Sequence, residues 1–138
     1  MPIEVPPEFL RVPYDAARHP QAAAFASDRG ANCQLWAYAL LKHFGRDVPP
    51  VRSSELSEDT RFSAEVGAGE WEPLDLLLVN DTGSPWGAHV AVYLGERFVA
   101  HLSREVGRPE VCLLEALLRR PKYRVLVGAK RVCPRERQ

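Results

Sequence analysis

Three side chains in this sequence have the types and the spacing for nucleophilic chemistry: Cys33, His89 and His101. Cys33 opens the stretch Asn32-Cys33-Gln34-Leu35-Trp36-Ala37-Tyr38-Ala39-Leu40-Leu41-Lys42-His43-Phe44-Gly45. Apolar Trp36, Ala37, Leu40, Leu41 and Phe44 recur at three- and four-residue steps, which is one face of a helix. Asn32 is a suitable N-cap, since its side-chain oxygen can accept from free backbone N–H groups, and Gly45 is a suitable stop. Cys33 then falls in the first turn, where free N–H groups and the helix dipole favour a thiolate. The competing reading is a small buried hydrophobe, the state of many free cysteines.

His89 and His101 lie on two consecutive strand-like runs around Gly95. Opposite residues of an antiparallel pair have numbers that sum to a constant. A two-residue loop at Gly95-Glu96 makes that constant odd, so the two odd-numbered histidines face opposite sides of the sheet. A three-residue loop around Gly95, or a single bulge, makes it even and brings both to one face. The second arrangement makes chemical sense. One imidazole acts on the thiol and the other orients it. Two alternatives stay open: satisfied semi-buried histidines, and a Cys–His–His metal site, for which no fourth ligand stands at an obvious spacing.

These residues need elements to hold them. Residues 1–13 are proline-rich and predict an extended N-terminal arm. Alanine-rich Tyr14–Ser27 predicts a short helix after Pro20, and 54–60 a second one. Leu74–Val79, Ala88–Leu94, Arg97–Leu102 and Tyr123–Ala129 read as strands, with a Gly/Pro-rich loop at 80–87. Residues 110–118 read as an amphipathic helix through Leu113, Leu114, Leu117 and Leu118, ended by Pro121. The tail Arg135–Gln138 reads as frayed. Trp86, in the loop before His89, is a candidate wall for a cleft. A helix followed by hairpin-linked strands predicts an α+β fold, a central helix on an antiparallel sheet.

The chain of 138 residues is long enough for one domain with its own core, and its 46% apolar content is that of a globular protein. Lys plus Arg equal Asp plus Glu at 18 each, so bulk charge points to no nucleic-acid partner. Acidic residues concentrate between Pro50 and Asp81, and basic ones from Arg97 onward. That is two solvated faces, or a basic rim for an acidic substrate. Three cysteines with no close pair exclude a disulfide framework and a zinc ribbon. Met1–Pro7 does not read as a signal peptide, and no apolar run reaches the length of a membrane span. The expectation is a soluble, cytoplasmic protein, or a secreted one if a leader has been removed, with no membrane partner.

With these residues in place, the chain resembles the NlpC/P60 family of papain-like cysteine peptidases. The resemblance runs over roughly residues 30–103. It rests on Cys33 at a helix start, the strand Asp75-Leu76-Leu77-Leu78-Val79, the strand His89-Val90-Ala91-Val92-Tyr93-Leu94-Gly95, and His101 on the next strand. It implies Cys33 as nucleophile, His89 as general base and His101 as the group orienting His89. The expected activity is hydrolysis of an amide in a small peptide, such as a cell-wall (murein) stem peptide, without cofactor or metal. It further implies substrate contacts from Asn32 and Gln34 beside the thiol, and matches the family's upstream tyrosine to Tyr14. Asn32 replaces the family's usual Asp, Gln34-Leu35 its Ser-Gly, and Leu74 the Gly before Asp75. Acyl chemistry on a non-murein substrate and a non-catalytic binding module on the same fold are the alternatives.

Overall fold

The computed structural model describes residues 1–134; the expected frayed tail at Arg135–Gln138 lies outside them. In chain order the elements are α1 (Cys33–His43), α2 (Ser53–Glu58), β1 (Ser63–Glu65), β2 (Leu76–Asn80), β3 (His89–Gly95), β4 (Phe98–Leu102), β5 (Pro109–Leu113), α3 (Leu114–Leu118) and β6 (Val125–Val132). The six strands form one antiparallel sheet in the order β1-β6-β2-β3-β4-β5. This is the α+β architecture the sequence predicts, with α1 packed on β3 and β4.

The sheet is covered on both faces. Its even-numbered side chains, among them Leu76, Leu78, Val90, Val92 and Leu102, meet Trp36, Ala37, Leu40 and Leu41 of α1. Trp36, Leu40 and Leu41 are fully buried, and each such side chain contributes roughly 1.5–3 kcal/mol of apolar burial. The odd-numbered face, with Leu77, Val79, Ala91, Tyr93 and Val99, meets Leu114, Leu117 and Tyr123. β3 is buried on both sides along its whole length, which is why it reads in sequence as a continuous apolar run rather than an alternation.

Three local readings change. The N-terminal arm is not extended throughout: Pro7–Arg11 is a 3-10 helix. Phe9 and Val12 are buried, and the Phe9 carbonyl accepts from the Trp36 indole N–H at 2.8 Å. The alanine-rich segment after Tyr14 forms turns, not a helix; small residues there give too little apolar surface to hold one against the core. Residues 110–118 split into β5 and α3, because Pro109–Leu113 completes the edge of the sheet on β4.

The β3–β4 hairpin carries the register that matters. Its tip is Glu96-Arg97, both at positive φ (50° and 68°), with Gly95 paired to Phe98. Register then shifts between Tyr93 and Gly95, so that Tyr93 faces Val99 and Val92 faces Ala100. One extra residue on β3 makes the pairing sum even, and the two odd-numbered histidines share a face. Gly95 supplies the bulge with φ 104°. The arm seals it from outside, with the Ile3 N–H donating to the Leu94 carbonyl at 2.8 Å.

A second tie runs from α1 to β3. Gln34 Nε2 donates to Ser53 Oγ at 2.6 Å, and Ser53 Oγ donates to the Ala88 carbonyl at 2.6 Å. Ser53 is 1% exposed. The residue after Cys33 is thereby linked to the residue before His89 through one hydroxyl.

Gly95→Val is expected to destabilise the fold by about 1–3 kcal/mol in urea unfolding. A β-branched residue at that φ is strained, and a Cβ there already meets Pro73 and Pro2 at 3.4 and 3.6 Å. Ser53→Ala strands the Gln34 amide and the Ala88 carbonyl together. A loss of about 1–3 kcal/mol is expected by the same measurement; an unchanged midpoint would show that water replaces the hydroxyl at no cost.

Candidate functional site

Cys33 begins α1, and Asn32 caps the helix as its sequence suggests. Asn32 Oδ1 accepts from the Leu35 N–H at 2.8 Å, and its carbonyl accepts from the Trp36 N–H. The N–H groups of Cys33 and Gln34 are left to act on the sulfur, joined by the N–H of Val90 on β3. The origin of the third donor lies in the sheet. Odd-numbered residues of β3 direct their N–H groups towards β2, as Tyr93 N–H does to the Asp75 carbonyl. Even-numbered ones point to β4. Pairing of β3 with β4 ends at Val92–Ala100, which leaves the Val90 N–H beyond the paired stretch, on the side where it favours negative charge on Cys33. The head of α1 thus reaches the end of the strand that carries His89.

Three N–H groups pull the Cys33 thiol down in pKa, but burial is larger and the net shift is upward. The helix start does not make a free thiolate here, although part of the residue reaches solvent.

The two histidines are brought together. His89 Nε2 lies 2.8 Å from His101 Nδ1, with the rings edge to face at 83°. His89 is 8% exposed and His101 is fully buried. His89 stacks on Tyr123 at 4.5 Å between centroids, and the Tyr123 hydroxyl meets Ser103 Oγ at 3.1 Å. Burial pushes both imidazoles below their usual pKa. For His89 the neighbouring His101 and Arg120 add to the shift; for His101 the Glu110 carboxylate opposes it. The thiolate form of Cys33 would also raise the Tyr123 and Tyr14 hydroxyls, so the sulfur is close to both.

Behind His101 stand residues the sequence reading did not single out. Glu110 is the cross-strand partner of His101 on β5. Its Oε1 lies 2.9 Å from His101 Nε2 and 2.5 Å from Arg120 Nη2. Cys112 Sγ is 3.9 Å from the same ring nitrogen. The ligating atoms of His101, Glu110 and Cys112 fall within 4.8 Å of one another, a set that would suit a soft cation. The Arg120 guanidinium already stands on the cation's side of that carboxylate. The period-two alternation Glu110, Cys112 against Val111, Leu113 was the available signal. The leucines that follow masked it as a helix.

The expected substrate contacts separate. Asn32, Gln34 and Trp86 line one open cleft of about 400 Å³, together with His19, Gln21, Arg52, Ser53, Ser54 and Gly87. Trp86 is 72% exposed on its rim. Tyr14 does not line this cleft; it forms a bridge to Ala31 immediately before the capped helix start. No carboxylate lines the cleft among the described residues.

No protein-family model matches the sequence, and no curated protein matches it. Solved structures do. The NlpC/P60 domain of the peptidoglycan hydrolase SagA superimposes with a TM-score of 0.59 at 20% identity, covering 91% of this chain and 90% of that domain. An NlpC/P60 family protein from Bacillus cereus ATCC 10987 gives a TM-score of 0.59 at 21% identity over 91% of this chain, which spans 43% of that protein. No described helix is long and apolar enough to cross a membrane. A helix laid on one antiparallel sheet superimposes on these domains over nine-tenths of the chain: the chain has the NlpC/P60 fold.

Proposed function

We propose that the chain is a thiol hydrolase that cleaves an amide bond in a small peptide, with Cys33 as nucleophile, His89 as general base and His101 orienting His89. One observation carries this reading. His89 Nε2 is engaged by His101 at 2.8 Å, and the backbone of Val90, the residue next to His89, is among the groups that favour a negative charge on the Cys33 sulfur. The other ring nitrogen, Nδ1, remains for the thiol.

The resting pair is neutral. Burial holds the thiol protonated and His89 unprotonated, so the proton moves as the sulfur attacks rather than before. Cys33 Sγ bonds to the carbonyl carbon while its proton passes to His89 Nδ1. The N–H groups at the head of α1 receive the developing oxyanion. His89 then protonates the leaving amine as the C–N bond breaks, and water, activated by the same imidazole, hydrolyses the thioester to free the acid and the thiol.

SagA is described as a peptidoglycan hydrolase, which makes a murein stem peptide the first substrate to try. The cleft favours a second choice. It offers Arg52, His19, three amides and two serine hydroxyls and, among the described residues, no carboxylate, so an acyl part that is neutral or acidic fits better than one ending in a free ammonium.

Purified protein is expected to hydrolyse a peptide amide from a panel that includes muropeptides and acidic or N-blocked dipeptides. Cys33→Ala and His89→Ala should each remove turnover by at least about 100-fold with the fold intact by circular dichroism. His101→Ala should leave a residue of activity. A panel with no turnover, or turnover indifferent to Cys33→Ala, overturns the assignment. Because the base works as the neutral ring and its pKa is lowered, kcat/KM should hold as pH falls through 6.5 and decline only below the ordinary histidine range. Alkylation of Cys33 by iodoacetamide should keep rising at pH values where an ordinary exposed thiol has levelled off; a plateau below pH 7 would reveal a preformed thiolate instead.

A further inference from the structure

We infer that Glu110 and Arg120 are positioning residues that set the proton on the far side of His101, and through it the tautomer of His89. This rests on the proposed role of His89. The geometry is a line of contacts running from His89 to β5 and beyond: His89 Nε2 to His101 Nδ1 at 2.8 Å, His101 Nε2 to Glu110 Oε1 at 2.9 Å, and Glu110 Oε1 to Arg120 Nη2 at 2.5 Å.

The tautomers follow from what each pair of atoms can tolerate. An unprotonated His101 Nε2 would hold its partial negative charge 2.9 Å from a carboxylate oxygen, which is repulsive, so Nε2 carries the proton. His101 Nδ1 is then an acceptor. The hydrogen bond at 2.8 Å therefore requires the proton of His89 on Nε2, and His89 Nδ1 is left as the basic nitrogen. The carboxylate thus selects, two rings away, the form of His89 that can take a proton from a thiol. The Glu110 contact is electrostatic in character: no directional hydrogen bond satisfies its Oε1. Arg120 balances the charge. Its Nη1 is buried with no hydrogen-bond partner among the described residues, while its Nη2 meets Glu110, and this positive charge limits how strongly the carboxylate favours an imidazolium.

The groups around this line come from every packed element: Cys33 at the head of α1, Glu110 and Cys112 on β5, Arg120 after α3, and Tyr123, beside which Glu105 and Lys122 form an outer pair at 3.7 Å. Of these, Glu110 makes the close charged contact with His101, and Arg120 makes the close contact with Glu110. The two variants therefore pull in opposite directions. Glu110→Gln removes the negative charge and offers Nε2 an amide that can donate as well as accept. Arg120→Gln leaves the carboxylate unopposed.

The test uses the full chain and two readouts. Histidine ring 15N spectra at neutral pH should show a single tautomer, Nε2–H, for both His89 and His101. Glu110→Gln should give a mixture at His101, and Glu110→Asp should restore most of the single form. In turnover, Glu110→Gln should lower kcat by about tenfold with KM little changed. It should also move the acid limb of kcat/KM down in pH, while Arg120→Gln moves it up. A wild-type His101 protonated on Nδ1 overturns the inference, as does a Glu110→Gln variant with unaltered tautomers. A fall in kcat with both limbs unmoved would show a merely structural role and also overturn it. If the spectra behave as expected but no amide is hydrolysed, the hydrolase assignment fails and the tautomer control stands.

Discussion

Two buried imidazoles 2.8 Å apart are the contact on which the rest of this site depends. Neither ring can be charged cheaply, because each is desolvated and each sits beside the other. A neutral pair can share one proton in a hydrogen bond, and its direction is decided by whatever stands at the outer nitrogens. At the outer nitrogen of His101 that is the Glu110 carboxylate. A hydrophobic sheet face, a stacked tyrosine and an acid–base pair at the edge strand all serve to keep this pair dry and oriented.

The contact exists because of one irregularity in the backbone. A perfectly regular hairpin at Gly95-Glu96 would have sent His89 and His101 to opposite faces. The bulge at Leu94–Gly95 adds a single residue to β3 and corrects the parity, and the N-terminal arm closes over it through Ile3. An arm that looks like a passive extension therefore supports the geometry of the two histidines. A comparable strain appears before β2, where Leu74 holds φ 77°. This is the position at which the resembling family places glycine. Here a buried leucine side chain offsets the cost of that conformation.

The placement of Cys33 shows how competing effects resolve. A helix N-terminus lowers a thiol pKa, and three N–H groups here do so. Desolvation works the other way and is larger. The outcome is a thiol whose burial favours the protonated form, beside a His89 whose burial favours the neutral ring.

Much of this was legible in the chain itself. Periodicity marked α1 and its cap, the apolar runs marked β2, β3 and β4, and simple parity showed that His89 and His101 could share a face only if the hairpin were irregular. These features are local, governed by side-chain pattern over a few residues, so sequence determines them. Other features were decided only by tertiary structure. Pro109–Leu113 has no alternation strong enough to override the leucines after it, and it became a strand because β4 offered an open edge. Glu110 therefore reached His101 through sheet register across a turn. Gln34 was tied to Ser53 instead of pointing freely into a cleft, and the Cys33 thiol was raised because the surrounding core is dry. Register between distant segments, and the dielectric around a buried group, are properties of the assembled core, and no stretch of sequence carries them alone.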